Sequence, residues 1–225
     1  MDGQRVARHP AGLRELKKQR TRDALLRAAL ELFTTRGYEE TTVDEIAEAV
    51  DVSQRTFFRY FANKEEAAFT IQDMVESRFE AELRRRPPGE SPFEAMHNAV
   101  LGTWNSINEA IEALVPVEVH LRTYRMIEST PSLLAAHLRR ATELEERVAR
   151  VIAEREGLDV ETDPRPRVAV AAFSGVMRVT GRLWGQRETG LDGLRELTES
   201  YLDQLGPTLA GDWGPPKERP DPDGG

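Results

Sequence analysis

The sequence predicts an all-α protein of about nine helices. Apolar residues recur at three- and four-residue intervals in almost every long segment, which is the spacing of an amphipathic helix. Ser, Thr or Asn stands at the start of many of these segments, and Gly or Pro often stands at the end. One stretch, Val115 to Leu121, alternates like a strand. A lone strand has no pairing partner, so a helix that starts near Pro116 is the better interpretation.

The first helix is predicted to begin at Thr21 and to stop at Gly37. The apolar residues between them follow a single helical stripe. The preceding residues, 1–19, are predicted to form a flexible arm, and residues 1–22 carry seven basic side chains against two acidic ones. Such an arm can contact the DNA minor groove or its phosphates, or it can simply be a soluble tail.

Two short helices and one long helix complete the N-terminal part. Thr42, with Glu45 three residues on, forms a capping box that opens a second helix. After a tight break, Ser53 can cap a third short helix. Asn63 can cap a fourth helix, which we expect to run to about Arg86.

Five more helices are expected in the remainder of the chain. Residues that favour helix starts, and Gly or Pro at the ends, bound them. The expected ranges are Ser91 to about Ala113, Pro116 to about Ser129, Ser132 to Glu156, Asp163 to a point before Gly190, and a leucine-striped ninth helix from Leu194 to Leu209. The tail, residues 211–225, is rich in Pro and Gly and is predicted to be disordered.

Composition limits the possible functions. The 225 residues contain no cysteine, which excludes thiol catalysis and disulfides and suits a reducing compartment. The longest apolar stretch, Val168 to Met177, has about half the length that a membrane helix needs. The N-terminal residues lack the apolar core of a signal peptide. We therefore expect a cytoplasmic protein without a membrane partner.

The net charge of −8 is unevenly distributed along the chain. Residues 1–64 hold 12 Lys and Arg against 10 Asp and Glu, whereas residues 65–225 hold 19 against 29. Residues 53–64 contain three basic side chains and no acidic one. Because polyanion binding depends on Lys and Arg, a nucleic-acid partner is expected at the N-terminal part and not at the acidic remainder.

The second and third helices are spaced as a helix-turn-helix. Val52, Phe57 and Phe61 can hold the third helix against the helices beneath it, which leaves a polar and basic side exposed. A helix held in this way fits the DNA major groove, where Gln can address adenine, Arg guanine, and an aromatic ring the thymine methyl group. The candidate DNA-contacting residues are Gln54, Arg55, Thr56, Phe58, Arg59 and Tyr60, with Lys64 placed for a phosphate.

Residues Arg20 to Glu66 resemble the DNA-binding domain of the TetR family of bacterial transcriptional repressors. The similarity lies in a GY–TTV–IA pattern from Gly37 to Ala47 and a VS–TFF–YF–NKE pattern from Val52 to Glu65. The resemblance implies a homodimer formed through the last two helices and a ligand pocket in the helices between. It also implies base contacts by Gln54, Arg55 and Phe58, phosphate contacts by Thr56, Tyr60 and Lys64, and a cap at Thr42 for the helix that crosses the DNA backbone.

Two residues depart from the family pattern. Phe58 stands where many members carry Tyr, so a hydroxyl contact to phosphate is missing. Asp44 places an acidic side chain near the DNA backbone, where it is expected to be repulsive. Arg59 and the basic arm can offset both effects.

The helix pattern and the resemblance together give the expected domain organisation. Residues 20–66 are predicted to bind DNA, and residues 67–210 are predicted to bind a ligand and to dimerise. The expected partners are a palindromic double-stranded DNA operator, a second copy of the chain, and a small, mostly hydrophobic effector.

Helical spacing also gives candidate residues for the C-terminal functions. Apolar stripes with a few polar tips predict an effector pocket, although the same residues can be read as core packing. The pocket candidates are His97, Leu101, Trp104, His120, Tyr124, Phe173 and Met177. Stripes on the eighth and ninth helices predict a four-helix dimer interface. Its candidates are Ala172, Val176, Val179, Leu183, Leu194, Tyr201, Leu202 and Leu205.

Enzyme signatures do not occur in the sequence. It has no nucleophile elbow, phosphate-loop glycine pattern or dinucleotide fingerprint, and its four histidines lack metal-ligand spacing. We therefore expect no enzyme, no cofactor and no metal. Two functions remain, of which the first is a ligand-responsive transcriptional repressor. The alternative is a helical small-molecule-binding or scaffold protein with a non-functional DNA head, which only Asp44 and the acidic remainder favour.

Overall fold

The computed structural model describes residues 10–187 and 189–211, except for the side chains of residues 10–13 and 191. These residues form nine α-helices and no strand, which confirms the predicted all-α class. The helices are α1 (Pro10–Arg36), α2 (Val43–Glu48), α3 (Gln54–Phe58), α4 (Lys64–Arg85), α5 (Pro92–Leu114), α6 (Val117–Ser129), α7 (Pro131–Glu156), α8 (Arg165–Gly185) and α9 (Leu191–Leu209).

Local capping fixes the helix ends close to where the sequence placed them. The hydroxyl of Thr42 accepts a hydrogen bond from the backbone N–H of Glu45 at 3.2 Å, and the Thr42 N–H donates to the Glu45 carboxylate at 2.8 Å. Ser53 and Asn63 cap α3 and α4 through backbone N–H groups three residues on. Gly157 ends α7 at a φ of 66°, a conformation that glycine adopts at little cost.

The first helix is longer than predicted. The expectation of a flexible arm over residues 1–19 is wrong for residues 10–19, because α1 already begins at Pro10. Strong helix formers fill this stretch, and pairs one turn apart support it, such as Lys18 with Glu15 at 3.2 Å and Gln19 with Asp23 at 2.8 Å. The first nine residues of the predicted arm, and the tail from residue 212, lie outside the described residues.

Two apolar clusters form the core. The first gathers α1, α2 and α3 around Phe33, Phe57 and Phe61, and it continues into Ile107 of α5 and Ile127 of α6. The second lies toward the far end of α4 and draws on α4, α5, α7 and α8. Helices of the C-terminal part therefore share a core with the helix-turn-helix, and movements of one are expected to reach the other.

Polar contacts also join α1 to the C-terminal part. The guanidinium of Arg27 donates to the carbonyls of Leu114 and Ala113 at 2.5 and 3.0 Å, which satisfies two open carbonyls at the end of α5. Arg122 of α6 forms an ion pair with Glu31 of α1 at 3.2 Å. These contacts fix α1 relative to α5 and α6.

Helices α8 and α9 pack side by side in the C-terminal part. The buried hydroxyls of Thr198 and Thr180 are hydrogen-bonded at 3.2 Å, and the indole N–H of Trp184 donates to the carbonyl of Thr189 at 2.9 Å. Across the described ranges, none of the helices combines the length and the apolar character needed to cross a bilayer.

Candidate DNA-binding surface and interior cavities

A left-handed turn sets the angle between α2 and α3. Asp51 has a φ of 54°, and the N–H of Val52 donates to the carbonyl of Ala47 at 3.0 Å. Ile46 of α2 and Phe57 of α3 are fully buried beneath the turn. The two helices are thus held to α1 and α4 by apolar packing, which leaves the opposite side of α3 in solvent.

That exposed side of α3 carries the residues predicted to read DNA. Gln54, Arg55 and Arg59 are exposed, and the ring of Phe58 is 49% exposed although it meets the edge of Phe57. The structure therefore brings four of the predicted DNA-contacting residues to one accessible surface.

The other predicted DNA-contacting residues on this surface, Thr56 and Tyr60, already form hydrogen bonds within the protein. Thr56 shares a 3.0 Å hydrogen bond with Ser53, and its backbone N–H takes part in the α3 cap. The Arg59 guanidinium lies 4.9 Å from the centre of the Tyr60 ring and donates to the Tyr60 hydroxyl at 3.2 Å. That hydroxyl keeps its own proton for an outside acceptor, such as a phosphate oxygen.

Thr42 and Glu45 form a capping box, with reciprocal hydrogen bonds, at the start of α2. The Thr42 hydroxyl donates to the Glu45 carboxylate at 2.9 Å, in addition to its capping bond. These bonds from Thr42, with smaller contributions from Arg36 and Lys64, lower the pKa of the Glu45 carboxyl. Thr42 therefore acts as the cap that the resemblance implied.

Lys64, which is predicted to contact a phosphate, also makes contacts within the protein. Its ammonium donates to the carbonyls of Tyr38 and Thr41 at 2.8 and 2.7 Å, and it lies 4.7 Å from the centre of the Tyr38 ring. Burial, followed by the nearby carboxylates of Glu65 and Glu39, raises the pKa of Tyr38 to about 12. Two of the three ammonium donors are thus used to hold the turn before α2, and one remains.

A cavity of about 260 Å³ lies between α4, α5, α7 and α8. Four of the seven predicted pocket residues line it: Trp104, Tyr124, Phe173 and Met177. Helix α4 supplies a further wall that the sequence did not predict, formed by Gln72, Val75, Glu76 and Phe79. The apolar spacing along α4 was the only available signal, and it does not show which helix α4 faces.

A second cavity, of about 150 Å³, lies next to the first and is closer to the helix-turn-helix. Its walls include Ile71, Ile107 and Ile127, which belong to the core shared with Phe57, and also His120, a predicted pocket residue. The cavities have lining residues in common, namely Gln72, Val75, Trp104, Tyr124, Gly181 and Leu194. A molecule in this region would touch both parts of the protein.

Tyr124 is held between the cavities by close contact with α8. A Cβ atom added at Gly181 would lie 2.5 Å from the Tyr124 hydroxyl oxygen, and one added at Gly185 would lie 3.1 Å from its ring. Trp184 meets the same ring edge-on, with centres 5.6 Å apart. The two glycines therefore create the space that this side chain occupies.

Two of the predicted pocket residues do not line these cavities. His97 lines a separate groove with Phe93 and α9, and Leu101 lines neither cavity. The most deeply buried residues of α5 include Met96, Val100 and Thr103, and His97 and Leu101, each one position beyond Met96 and Val100, are rotated by about 100° from them and are only half-buried.

The predicted dimer residues divide into two groups. Val179 and Tyr201 are exposed, and the Ala172, Val176 and Leu183 side chains are half-buried on α8. Three others face into the same chain: Leu194 lines both cavities, Leu202 packs on the second core cluster, and Leu205 lines the groove beside His97. The stripe on α9 is needed to cover α5 and α8, which periodicity alone did not reveal.

The charged side chains that line the larger cavity all have counter-ions. Glu76 is paired with Arg147 at 3.4 Å, and Glu145 is paired with Arg178 at 2.5 Å. Burial and the nearby Asp73 raise the pKa of Glu76, although Arg147 opposes the shift. Arg178 is thus not free to meet an anionic ligand.

A row of polar contacts links α4 to α7 alongside this cavity. Arg147 also binds Glu80 at 2.6 Å, Arg140 is paired with Asp73, and the Gln72 amide nitrogen lies 2.9 Å from His137 Nδ1. These contacts hold the helix that leads out of the helix-turn-helix, so a shift of α7 is expected to be passed to α4.

Comparison with known proteins gives consistent matches along the chain. Residues 25–67 match the model for bacterial regulatory proteins of the tetR family, and residues 90–210 match that for the MftR C-terminal domain. The chain is 48% identical over 206 residues to the HTH-type transcriptional regulator TcmR of Streptomyces glaucescens, covering 91% of each protein.

More distant similarities extend to other bacteria. The chain is 26% identical over 95 residues to the HTH-type transcriptional repressor NicS of Pseudomonas putida, covering 42% of this chain and 45% of that protein. The crystal structure of a TetR-like transcriptional regulator from Rhodococcus sp. RHA1 aligns with a TM-score of 0.49 at 21% identity, covering 91% of this chain and all of that one.

Proposed function

The chain belongs to the TetR family of bacterial regulatory proteins and is a DNA-binding transcriptional regulator rather than an enzyme; we propose that it represses transcription from a palindromic operator. A small, mostly apolar effector that enters the interior cavities releases it. We place this activity in the cytoplasm, where a bacterial operator is accessible.

The observation that carries the proposal is the exposed side of α3. Gln54, Arg55 and Phe58 extend into solvent from a helix that is pinned by Phe57. We assign base contacts to these three residues and phosphate contacts to Thr56, Tyr60 and the remaining donor of Lys64. Arg59 and the basic stretch of α1 add electrostatic attraction.

A homodimer explains how a five-residue helix can select a site. We propose that the outer face of α8, which includes Val176 and Val179, packs against its symmetry mate together with Tyr201 of α9. Two recognition helices then need half-sites about 34–36 Å apart, or a multiple of this spacing. Half of a palindrome alone should bind weakly.

Release follows from the position of α4. This helix has 22 residues, which gives a length of about 33 Å, and it connects the turn held by Lys64 to the cavity wall at Val75 and Phe79. A ligand that favours a displaced α4 weakens DNA binding by its difference in affinity for the two states. No contact between ligand and DNA is required.

The proposal is tested on DNA from the protein's own upstream region. A nuclease-protection experiment should give a footprint with two-fold sequence symmetry, and competing random DNA should not remove it. A protein that protects no site, or that protects random DNA equally, would instead match the scaffold alternative with a non-functional DNA head.

A further inference from the structure

Within the part of the chain that the structure describes, two buried polar atoms at the cavities have no hydrogen-bond partner. They are Oε1 of Gln72, at the junction of the two cavities, and Nδ1 of His120, in the smaller one. A buried polar atom without a partner costs free energy. Both atoms belong to walls that are mostly apolar, so they mark where a polar group of a bound molecule would be stabilised.

The contacts of Gln72 determine which kind of group fits. Its amide nitrogen lies 2.9 Å from Nδ1 of His137, whose Nε2 lies 3.8 Å from the Glu128 carboxylate. A carboxylate on that side favours the N–H at Nε2, which leaves Nδ1 as an acceptor for the Gln72 amide. The remaining group, Gln72 Oε1, can only accept, so its partner must be a donor.

The charges around the larger cavity indicate a neutral ligand. Glu76 and Glu145 are already paired with Arg147 and Arg178. A carboxylate entering the cavity would find no free cation and would lie beside two acidic side chains. A cation would compete with existing ion pairs in a poorly solvated space.

Flat apolar walls complete the site. The rings of Phe79 and Phe173 lie nearly parallel, 9° apart in orientation, with centres 6.3 Å apart. Trp104 and Tyr124 stand where the two cavities adjoin. The larger cavity alone approaches the lower end of the volumes that small-molecule sites have, about 300–1,000 Å³, and the two cavities together fall within that range.

We infer that the effector of the proposed repressor is an uncharged, largely apolar compound carrying a hydroxyl or N–H group that donates to Gln72 Oε1. A second polar group meets Nδ1 of His120, and the apolar body fills the larger cavity. This inference rests on the proposed function, because it identifies the chemistry of the molecule that controls DNA binding.

The test uses three naphthalene derivatives that share one substitution position: naphthol, methoxynaphthalene and naphthoate. Naphthol brings a donor, its methyl ether brings the same ring without a donor, and naphthoate brings a negative charge. Affinities are measured by calorimetry on the full-length protein. The ether is more hydrophobic than naphthol, so without a donor requirement it should bind more tightly.

Naphthol is expected to bind roughly tenfold more tightly than the ether, because one buried hydrogen bond contributes about that much to affinity. Naphthoate should bind most weakly. In Gln72→Leu the preference for naphthol should disappear, whereas the matched variant Gln186→Leu, on the exposed end of α8, should keep it. The comparison of ligands on the unmodified protein needs no variant, so a poorly folded Gln72→Leu does not prevent a decision.

Several results would overturn the inference. If the ether bound as tightly as naphthol, no donor would be required, for example because a water molecule already satisfies Gln72. Naphthoate binding best would contradict the neutral ligand, and binding of none of the three would contradict the assigned chemistry. Each of these can occur while the footprint on operator DNA persists, so failure here is distinct from failure of the proposed function.

Discussion

Replacing Lys64 with Met removes the ammonium that holds the turn before α2 while keeping most of the side-chain length. The lost interactions are two hydrogen bonds, to the carbonyls of Tyr38 and Thr41, and a contact with the Tyr38 ring. A hydrogen bond to a charged group contributes about 1.5–3 kcal/mol. Because Lys64 is only half-buried and water can replace part of the loss, we expect a total destabilisation of about 2–3 kcal/mol.

The free energy of unfolding is measured by urea denaturation at neutral pH. Lys17→Met is the control, since Lys17 is exposed on α1, and its stability should change by no more than about 0.5 kcal/mol. If Lys64→Met is as stable as this control, the structural role assigned to Lys64 is wrong.

The same variant separates the structural role of Lys64 from its proposed phosphate contact. Loss of one phosphate contact should weaken binding to all DNA sequences alike and flatten the dependence of affinity on salt by about one unit. If the variant is destabilised but its DNA affinity depends on salt as before, Lys64 holds the turn and does not contact a phosphate.

Three further outcomes are expected. Gly181→Ala should lower the free energy of unfolding by about 1–2 kcal/mol, since overpacking against Tyr124 outweighs the helix propensity of Ala. Urea denaturation should show that most of this loss disappears when Tyr124 is also replaced with Phe. An equal loss with and without Tyr124→Phe would contradict the contact. Burial lowers the pKa of His120 to about 4 from 6.5, so the unfolded state binds the proton first as pH falls. Denaturation curves should therefore show that the unmodified protein loses about 3 kcal/mol more stability between pH 7 and 4 than His120→Leu does. Parallel pH profiles for the two proteins would contradict the lowered pKa. Val176→Asp should give a monomer by light scattering and abolish operator binding, whereas a monomeric unmodified protein would refute the dimer.

The sequence predicted well those features that depend on neighbouring residues. The caps at Thr42, Ser53 and Asn63 lie within three residues of the groups they bind, so composition and spacing reveal them. The exposed side of α3 follows for the same reason, because burying Phe57 leaves Gln54 and Arg55 on the opposite side.

Features that depend on distant parts of the chain were not predictable in this way. Lys64 binds carbonyls 26 and 23 residues before it, and no local pattern indicates that its charge is used there. Leu194 has the same helical spacing as an interface residue, yet it lines the cavities because α9 covers its own chain. Periodicity shows that a face is apolar but not which neighbour covers it.

The central claim, that α3 reads base sequence, is tested most directly by the ratio of affinities for operator and scrambled DNA at one fixed salt concentration. Fluorescence anisotropy is measured for the unmodified protein, for Arg55→Ala, and for Arg150→Ala, which removes an exposed arginine of α7. We expect Arg55→Ala to lose about 1–3 kcal/mol on operator and little on scrambled DNA, with Arg150→Ala unchanged. Equal losses on both DNAs would show that α3 contacts DNA without reading it.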